Sequence, residues 1–263
     1  MLDNHYVPEG YGLIPNIMLF GQKISSYTLF VGLGLLIGIV WFMISVPRNK
    51  KISIENSFDI VITALIFGFV GSKILVIIEN LNIVINDFSA IKGFLFNGKS
   101  IIGGLLGGYL GVRFIKKRKN IQSIRTGNKI APSIALGMGI GRIGCFLTGC
   151  CYGIKTNLPI GIDFGDGINR IPTQLIEMVF CFGLFGYLLY KQQKQKNLMP
   201  GILFKELVLY YFIFRFLIEF IRGTSKIILF LSIYQIICIF GIIYMINQIK
   251  KEKKLWKLNK IYQ

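Results

Sequence analysis

The stretch Ala131-Pro-Ser-Ile-Ala-Leu-Gly137-Met-Gly139-Ile-Gly141-Arg142-Ile-Gly144-Cys145-Phe-Leu-Thr148-Gly-Cys150-Cys151 decides how the rest of the chain is read. Gly139-Ile-Gly141-Arg142-Ile-Gly144 fits the spacing GxGxxG. That spacing holds a dinucleotide only in a soluble βαβ unit, after a strand and before an acidic residue that takes the ribose. Here it runs through an apolar stretch whose one charge is Arg142. A stretch of that length and polarity predicts a membrane helix over Ala131–Cys150, which excludes the dinucleotide site.

Six further stretches read the same way: Tyr27–Val46, Phe58–Ile78, Ile101–Ile115, Thr173–Tyr190, Gly201–Ile221 and Lys226–Asn247. The composition agrees. Of 263 residues, 53% are hydrophobic and only 16% are charged, against about 25% in a soluble domain. The expected fold is all-α: a polytopic membrane protein with seven transmembrane helices in one domain spanning residues 1–263. Residues 1–26 form its outer N-terminal segment and residues 248–263 its basic cytoplasmic tail.

The net charge of +18 comes from 30 basic against 12 acidic residues. Connections on one side carry three, seven, three and six Lys or Arg, nineteen in all, and those on the other side carry seven. Short-loop bias of this kind sets orientation, so the N-terminus is expected outside and the C-terminus in the cytoplasm. Attraction to anionic lipid heads accounts for the rest of the basic surface, and no nucleic-acid partner is needed. Met1–Gln22 contains no Lys or Arg ahead of an apolar core, so no cleaved signal peptide is expected. Glycines crowd the spans, among them Gly103, Gly104, Gly107 and Gly108. Small residues at helical spacing let membrane helices approach closely, which explains most of them.

Ionisable groups at bilayer depth are costly and mark a site or a buried pair. Arg142, Glu177, Arg215 and Glu219 are the informative ones, with Arg222 one turn beyond Glu219. Arg215 and Glu219 are four apart and share a helix face. Two readings stay open for them: an ion pair that orients a helix, or arginines gathered at the outer end of the fourth span to bind phosphate in bidentate fashion. Lys73, Asp59, Glu79, Lys205 and Glu206 carry less weight, because side chains near span ends can snorkel.

Of five cysteines, Cys181 and Cys238 stand alone in apolar spans and read as small hydrophobes. Cys145, Cys150 and Cys151 follow Arg142, and a neighbouring cation favours a reactive thiolate. Packing and redox chemistry are the other readings. Metal is disfavoured because the adjacent cysteines Cys150 and Cys151 lack the usual C-x(2–4)-C spacing between them and no histidine is present except His5.

Taken together, Gly141-Arg142-Ile-Gly144-Cys-Phe146, Ile102-Gly103-Gly104-Leu-Leu-Gly107, Pro172-Thr-Gln174-Leu-Ile-Glu177 and Arg215-Phe-Leu-Ile-Glu219-Phe-Ile-Arg222 resemble the prolipoprotein diacylglyceryl transferase family. Its segments Gly-Arg-x-Gly-Asn-Phe, His-Gly-Gly-Leu-x-Gly, Pro-Ser-Gln-Leu-Tyr-Glu and Arg-x-x-x-Glu-x-x-Arg appear in the same order. The resemblance covers about residues 15–247.

What the resemblance implies is an enzyme of lipoprotein biosynthesis in the bacterial cytoplasmic membrane. Such a transferase takes the diacylglyceryl group of phosphatidylglycerol to the lipobox cysteine of a preprolipoprotein. Membrane lipid and that lipobox segment are the implied partners. No cofactor and no metal are implied. On this chain Arg142 and Arg215 would carry the chemistry at phosphate, with Glu219 orienting Arg215 and Cys150 or Cys151 as alternative nucleophiles. Tyr27, Gly103, Gly104, Cys145, Gln174, Glu177 and Arg222 would bind substrate.

The sequence departs from the family where its histidines stand, which are Ile102 and Ile171 here, and where its signature Asn and Glu have become Cys145, Thr148 and Cys150. The alternatives are therefore a divergent phospholipid-dependent transferase with another acceptor, or a lipid-binding or transport protein without catalysis.

Overall fold

A computed structural model describes residues 11–19, 21–45, 54–88, 91–93, 100–119, 126–195, 198–222, 224 and 231–261. His5 and Lys226 lie outside them. The described residues are mostly helical: α1 (Ser26–Ser45), α2 (Ile54–Glu79), α3 (Leu81–Asn86), α4 (Ile101–Arg118), α5 (Thr126–Thr148), α6 (Thr173–Lys194), α7 (Ile202–Ile218) and α8 (Ile233–Ile261). Two short antiparallel ribbons accompany them, β1 (Asn16–Leu19) with β2 (Gln22–Ser25) and β3 (Ile162–Asp163) with β4 (Asn169–Arg170). The all-α expectation did not include these ribbons.

Five helices are long and apolar enough to cross a membrane: Ser26–Ser45, Phe58–Ile78, Gly127–Thr148, Thr173–Lys194 and Ile233–Trp256. Their outward faces are apolar, with Ile44 79% and Phe240 70% exposed. A soluble helix would turn charge outward there. The third and sixth expected spans also form helices, α4 and α7, but neither is among these five. Basic residues Lys116, Lys117 and Arg118 end α4, and α7 has only 17 residues.

The last helix differs from expectation at both ends. It starts at Ile233, where Ser232 Oγ accepts from Gln235 N (3.2 Å) while Gln235 Oε1 accepts from Ser232 N (2.9 Å). This reciprocal pair is a capping box. The expected tail from residue 248 continues the same helix to Ile261.

The chain forms two compact units, one within Pro47–Ile124 and the other within Val7–Val46 and Arg125–Gln263. In the first, α2 packs along α4 through glycine. A Cβ on Gly71 would lie 2.5 Å from the Gly103 carbonyl oxygen, and one on Gly103 would collide with the Gly71 carbonyl. Gly104 faces Gly68 and Ser72 at ordinary contact distance. Asp59 and Lys119 pair across the same unit.

In the second unit α1 packs on α5, and α5 packs on α6 and α7. Gly34 and Gly137 face each other so closely that a Cβ on either would sit 2.5–2.8 Å from the other's carbonyl oxygen. Ala131, Ala135, Leu184, Leu188, Leu203 and Leu207 form the apolar core at one end. There Asn128 accepts from Leu203 N (3.0 Å) and donates to Met199 O (2.9 Å), holding the start of α7. Lys191 pairs with Glu206 at 2.6 Å, so the charged groups at this end are mutually satisfied.

Candidate active site

At the opposite end of the second unit, α5, α6 and α7 bring their charged residues to one point. Glu177, on the buried face of α6, is 0% exposed. Arg142 Nη2 approaches its Oε2 at 2.5 Å. Arg222 Nη1 approaches its Oε1 at 3.0 Å and Arg215 Nη1 reaches the same oxygen at 3.7 Å. Arg215 also pairs with Glu219 at 3.0 Å across one helical turn, as the four-residue spacing implied. All five side chains are buried. Among the described residues the cluster brings three guanidiniums onto two carboxylates.

Burying charges is costly unless each is paired and hydrogen-bonded, and the surroundings supply those partners. Glu219 Oε1 accepts from Thr224 Oγ1 (2.6 Å) and Ser232 Oγ (3.1 Å). The residue that caps α8 thus also anchors the carboxylate that orients Arg215. The Arg215 guanidinium stacks over the Tyr234 ring at 4.9 Å, a cation–π contact worth more when desolvated. Tyr211, one turn before Arg215, is fully buried within electrostatic reach of Arg142, Glu177 and Arg215.

The backbone at the end of α5 is tied to the starts and ends of its neighbours. Gly153 N donates to Ile171 O (2.8 Å) and Ile154 N to Ile221 O (2.9 Å). A Cβ at Gly153 would lie 2.6 Å from Ile221 O and 2.9 Å from Thr173, so only glycine lets these three segments meet. Arg222 is held here by a backbone bridge to Gly153, in a turn beyond the end of α7. Gln174 Nε2 donates to Cys150 O and Thr173 Oγ1 to Cys151 O, each at 2.7 Å. Gln174 Oε1 is buried with no hydrogen-bond partner among the described residues.

Cys145, Cys150 and Cys151 are free thiols whose sulfurs all lie within 4.8 Å of one another. Arg142 Nη1 donates to Cys145 Sγ at 3.8 Å. Tyr27, half-buried in the first turn of α1, lies within electrostatic reach of all three thiols and of Arg142. Cys181 and Cys238 are buried singly, as small hydrophobes are. Outside the helices, Arg170 clasps Asp166 with two bonds of 2.6 Å and lies 4.6 Å from the Tyr152 ring. The guanidinium holds the Asp166 carboxyl below the usual carboxylate range, and burial pushes the Tyr11 phenol up.

Of the residues singled out in the sequence, the structure gathers Tyr27, Arg142, Cys145, Cys150, Cys151, Gln174, Glu177, Arg215, Glu219 and Arg222 in this unit. Gly103 and Gly104 belong to the other unit, where they serve the packing of α4 on α2. Sequence reasoning missed Tyr211, Thr224, Ser232 and Tyr234. The four-residue stripe from Tyr211 through Arg215 to Glu219 would have found the first, and Ser232-x-x-Gln235 read as a capping box would have found the third.

The chain is similar to known proteins of one family. The model of a family described as prolipoprotein diacylglyceryl transferase matches residues 15–249. A phosphatidylglycerol–prolipoprotein diacylglyceryl transferase of Clostridium tetani is 36% identical over 234 residues, covering 86% of this chain and 92% of its own. Proteins with the same description are 34% identical in Clostridium perfringens, covering 90% and 96%, and 31% identical in Clostridioides difficile, covering 86% and 89%.

Proposed function

This chain belongs to the prolipoprotein diacylglyceryl transferase family, and from that premise we propose how its charged cluster carries out the transfer. The reaction moves the diacylglyceryl group of phosphatidylglycerol to the thiol of a lipobox cysteine at the outer face of a bacterial cytoplasmic membrane. The observation that carries the reading is the convergence of three buried guanidiniums. Arg142, Arg215 and Arg222 meet at Glu177, and guanidinium forks suit the oxygens of an anionic phosphodiester headgroup.

In the transfer, a sulfur–carbon bond forms to the glyceryl carbon and the carbon–oxygen bond to phosphate breaks, releasing glycerol phosphate. The leaving phosphate grows from one negative charge toward two. A preorganised cation stabilises that change more than it stabilises bound lipid, which is what lowers a barrier. Arg142 and Arg215 take the phosphate oxygens, and Glu219 holds Arg215. Tyr27 and Gln174 line the headgroup site, with Gln174 Oε1 placed to accept from a glycerol hydroxyl. The thiol proton goes to Glu219 or to the released phosphate, whose second pKa is about 6. Neither route needs a histidine.

We read the chain as a single membrane domain with seven crossings, N-terminus outside and C-terminus in the cytoplasm. The nineteen-to-seven division of basic residues supports that orientation. A second reading, in which the acceptor is not a lipobox cysteine, is favoured by Ile102 and Ile171 at the family's histidine positions. Expression in a strain lacking diacylglyceryl transfer separates the two. Rescue, with incorporation of labelled glycerol into a lipobox peptide that Arg142→Ala abolishes, supports the first. No rescue by chain that reaches the membrane overturns it and leaves the second.

A further inference from the structure

The thiol cluster at the end of α5 is not explained by phosphate chemistry. Three cysteines converge there, two of them buried and Cys151 partly exposed. The convergence depends on an abrupt chain reversal. Gly149 takes φ +74° and Cys151 takes φ +62°, the only non-glycine residue with positive φ among the described residues. Between them Cys150 N returns to Cys145 O at 3.1 Å. A side chain held in the left-handed region is strained and persists only where the surroundings enforce it. Here the reversal brings the three sulfurs of a C-x(4)-C-C sequence within 4.8 Å of one another.

We propose that Cys145, Cys150 and Cys151 form a three-thiolate site for a divalent thiophilic cation of the zinc class, with a fourth position open. Zinc–sulfur bonds of about 2.3 Å place tetrahedral sulfurs about 3.8 Å apart. The thiols therefore need to draw in by roughly 1 Å, within reach of side-chain rotation. The outer partners of a metal site are present as well: Gln174 and Thr173 fix the carbonyls of Cys150 and Cys151, and Arg142 already donates to Cys145 Sγ. Such contacts orient ligands and tune their affinity.

Charge also favours the site. Binding converts three thiols and a dication into a complex of net charge −1 with release of three protons. That negative complex adjoins the Arg142 guanidinium, which donates to Cys145 Sγ. The thiol nearest the surface is Cys151, which is partly exposed while Cys145 and Cys150 are buried. Entry through Cys151 is the route the burial pattern allows.

The test uses the purified full-length chain in detergent, reduced and freed of metal, titrated with Co2+ alone as a spectroscopic probe. The expected result is a thiolate-to-cobalt charge-transfer band saturating at one equivalent and displaced by Zn2+. Cys145→Ser, Cys150→Ser and Cys151→Ser each weaken binding at least about tenfold, while Cys181→Ser and Cys238→Ser leave it unchanged. In the unmutated chain, Zn2+ protects the three thiols from maleimide, which keeps the test decisive where a variant does not fold. No band, a band that survives Cys150→Ser, equal loss in Cys238→Ser, or no protection overturns the proposal. So does an intact mass two hydrogens light before reduction, since a disulfide would then be the resting form.

Discussion

Replacing Arg222 by Gln isolates the role of the third guanidinium. Arg222 Nη1 lies 3.0 Å from Glu177 Oε1, yet Glu177 keeps Arg142 at 2.5 Å and Arg215 keeps Glu219 at 3.0 Å. In the variant both carboxylates still have a guanidinium partner. The backbone bridge to Gly153 does not involve the side chain. Stability should therefore change little.

Transfer should change greatly. One hydrogen bond to a charged group is worth about 1.5–3 kcal/mol, and each 1.36 kcal/mol is a tenfold change in rate, so a loss of about ten- to hundredfold is expected. Labelled glycerol transfer from phosphatidylglycerol to a lipobox peptide measures it, with thermal unfolding in detergent as the companion. Arg222→Lys, which keeps the charge and loses the fork, should fall between. Wild-type transfer by Arg222→Gln would refute the idea that the third guanidinium assists the reaction, and so would destabilisation as large as that of Glu177→Gln.

Glu177→Gln puts three guanidiniums on one carboxylate, and breaking a buried pair costs about 3–5 kcal/mol, so it should lower the unfolding temperature sharply even before activity is assayed. Ser232→Ala removes both the cap of α8 and a bond to Glu219; the cap alone is worth about 1 kcal/mol, and transfer should fall by more than the stability loss predicts. Gly103→Leu drives a side chain into the Gly71 carbonyl; overpacking costs about 1–3 kcal/mol, read as reduced yield and unfolding temperature. In the β3–β4 turn, the Arg170 guanidinium depresses Asp166, so its stabilising effect is complete above an ordinary carboxylate pKa of about 3.9 and is lost as pH falls through the lower folded value. Hydrogen exchange at Ile168, whose N–H bonds Asp166, should stay slow at pH 5, quicken under stronger acid, and be fast at both in Asp166→Asn.

Much of the fold was legible because bilayer length and apolarity leave few alternatives. All seven expected spans contain a long helix, and the Arg215–Glu219 pair followed from helical spacing alone. What escaped the sequence was tertiary or local to turns. Glu177 gives no sign in one dimension that three arginines from two other segments meet on it. The β1–β2 ribbon is four residues a side with no alternating pattern strong enough to stand out. Cysteine spacing alone gave no sign that the segment reverses through Gly149 and Cys151 and brings three sulfurs together. Glycine density, by contrast, correctly signalled close helix approach at Gly34, Gly71, Gly103 and Gly137.

The family's histidine positions hold Ile102 and Ile171, both buried, and the charge distribution explains how the proposed transfer proceeds without them. A thiol that attacks carbon must lose a proton, but where that proton goes need not set the barrier if the leaving group can take it. Phosphate released from a diester gains an oxygen with a second pKa of about 6, close enough to neutrality to accept it. The demand on the protein is then to stabilise growing charge on phosphate, which in the proposed mechanism falls to Arg142 and Arg215. Glu177, engaged by three guanidiniums, is spent on holding those cations together. Glu219, with one guanidinium and two hydroxyls, is the carboxylate left to share the proton. Glu219→Gln keeps the hydroxyl contacts and removes the acceptor. If released phosphate carries the proton, Glu219→Gln should retain measurable transfer whose rate rises with pH as the thiol ionises; complete loss at every pH, with the fold intact, would assign the proton to Glu219 instead.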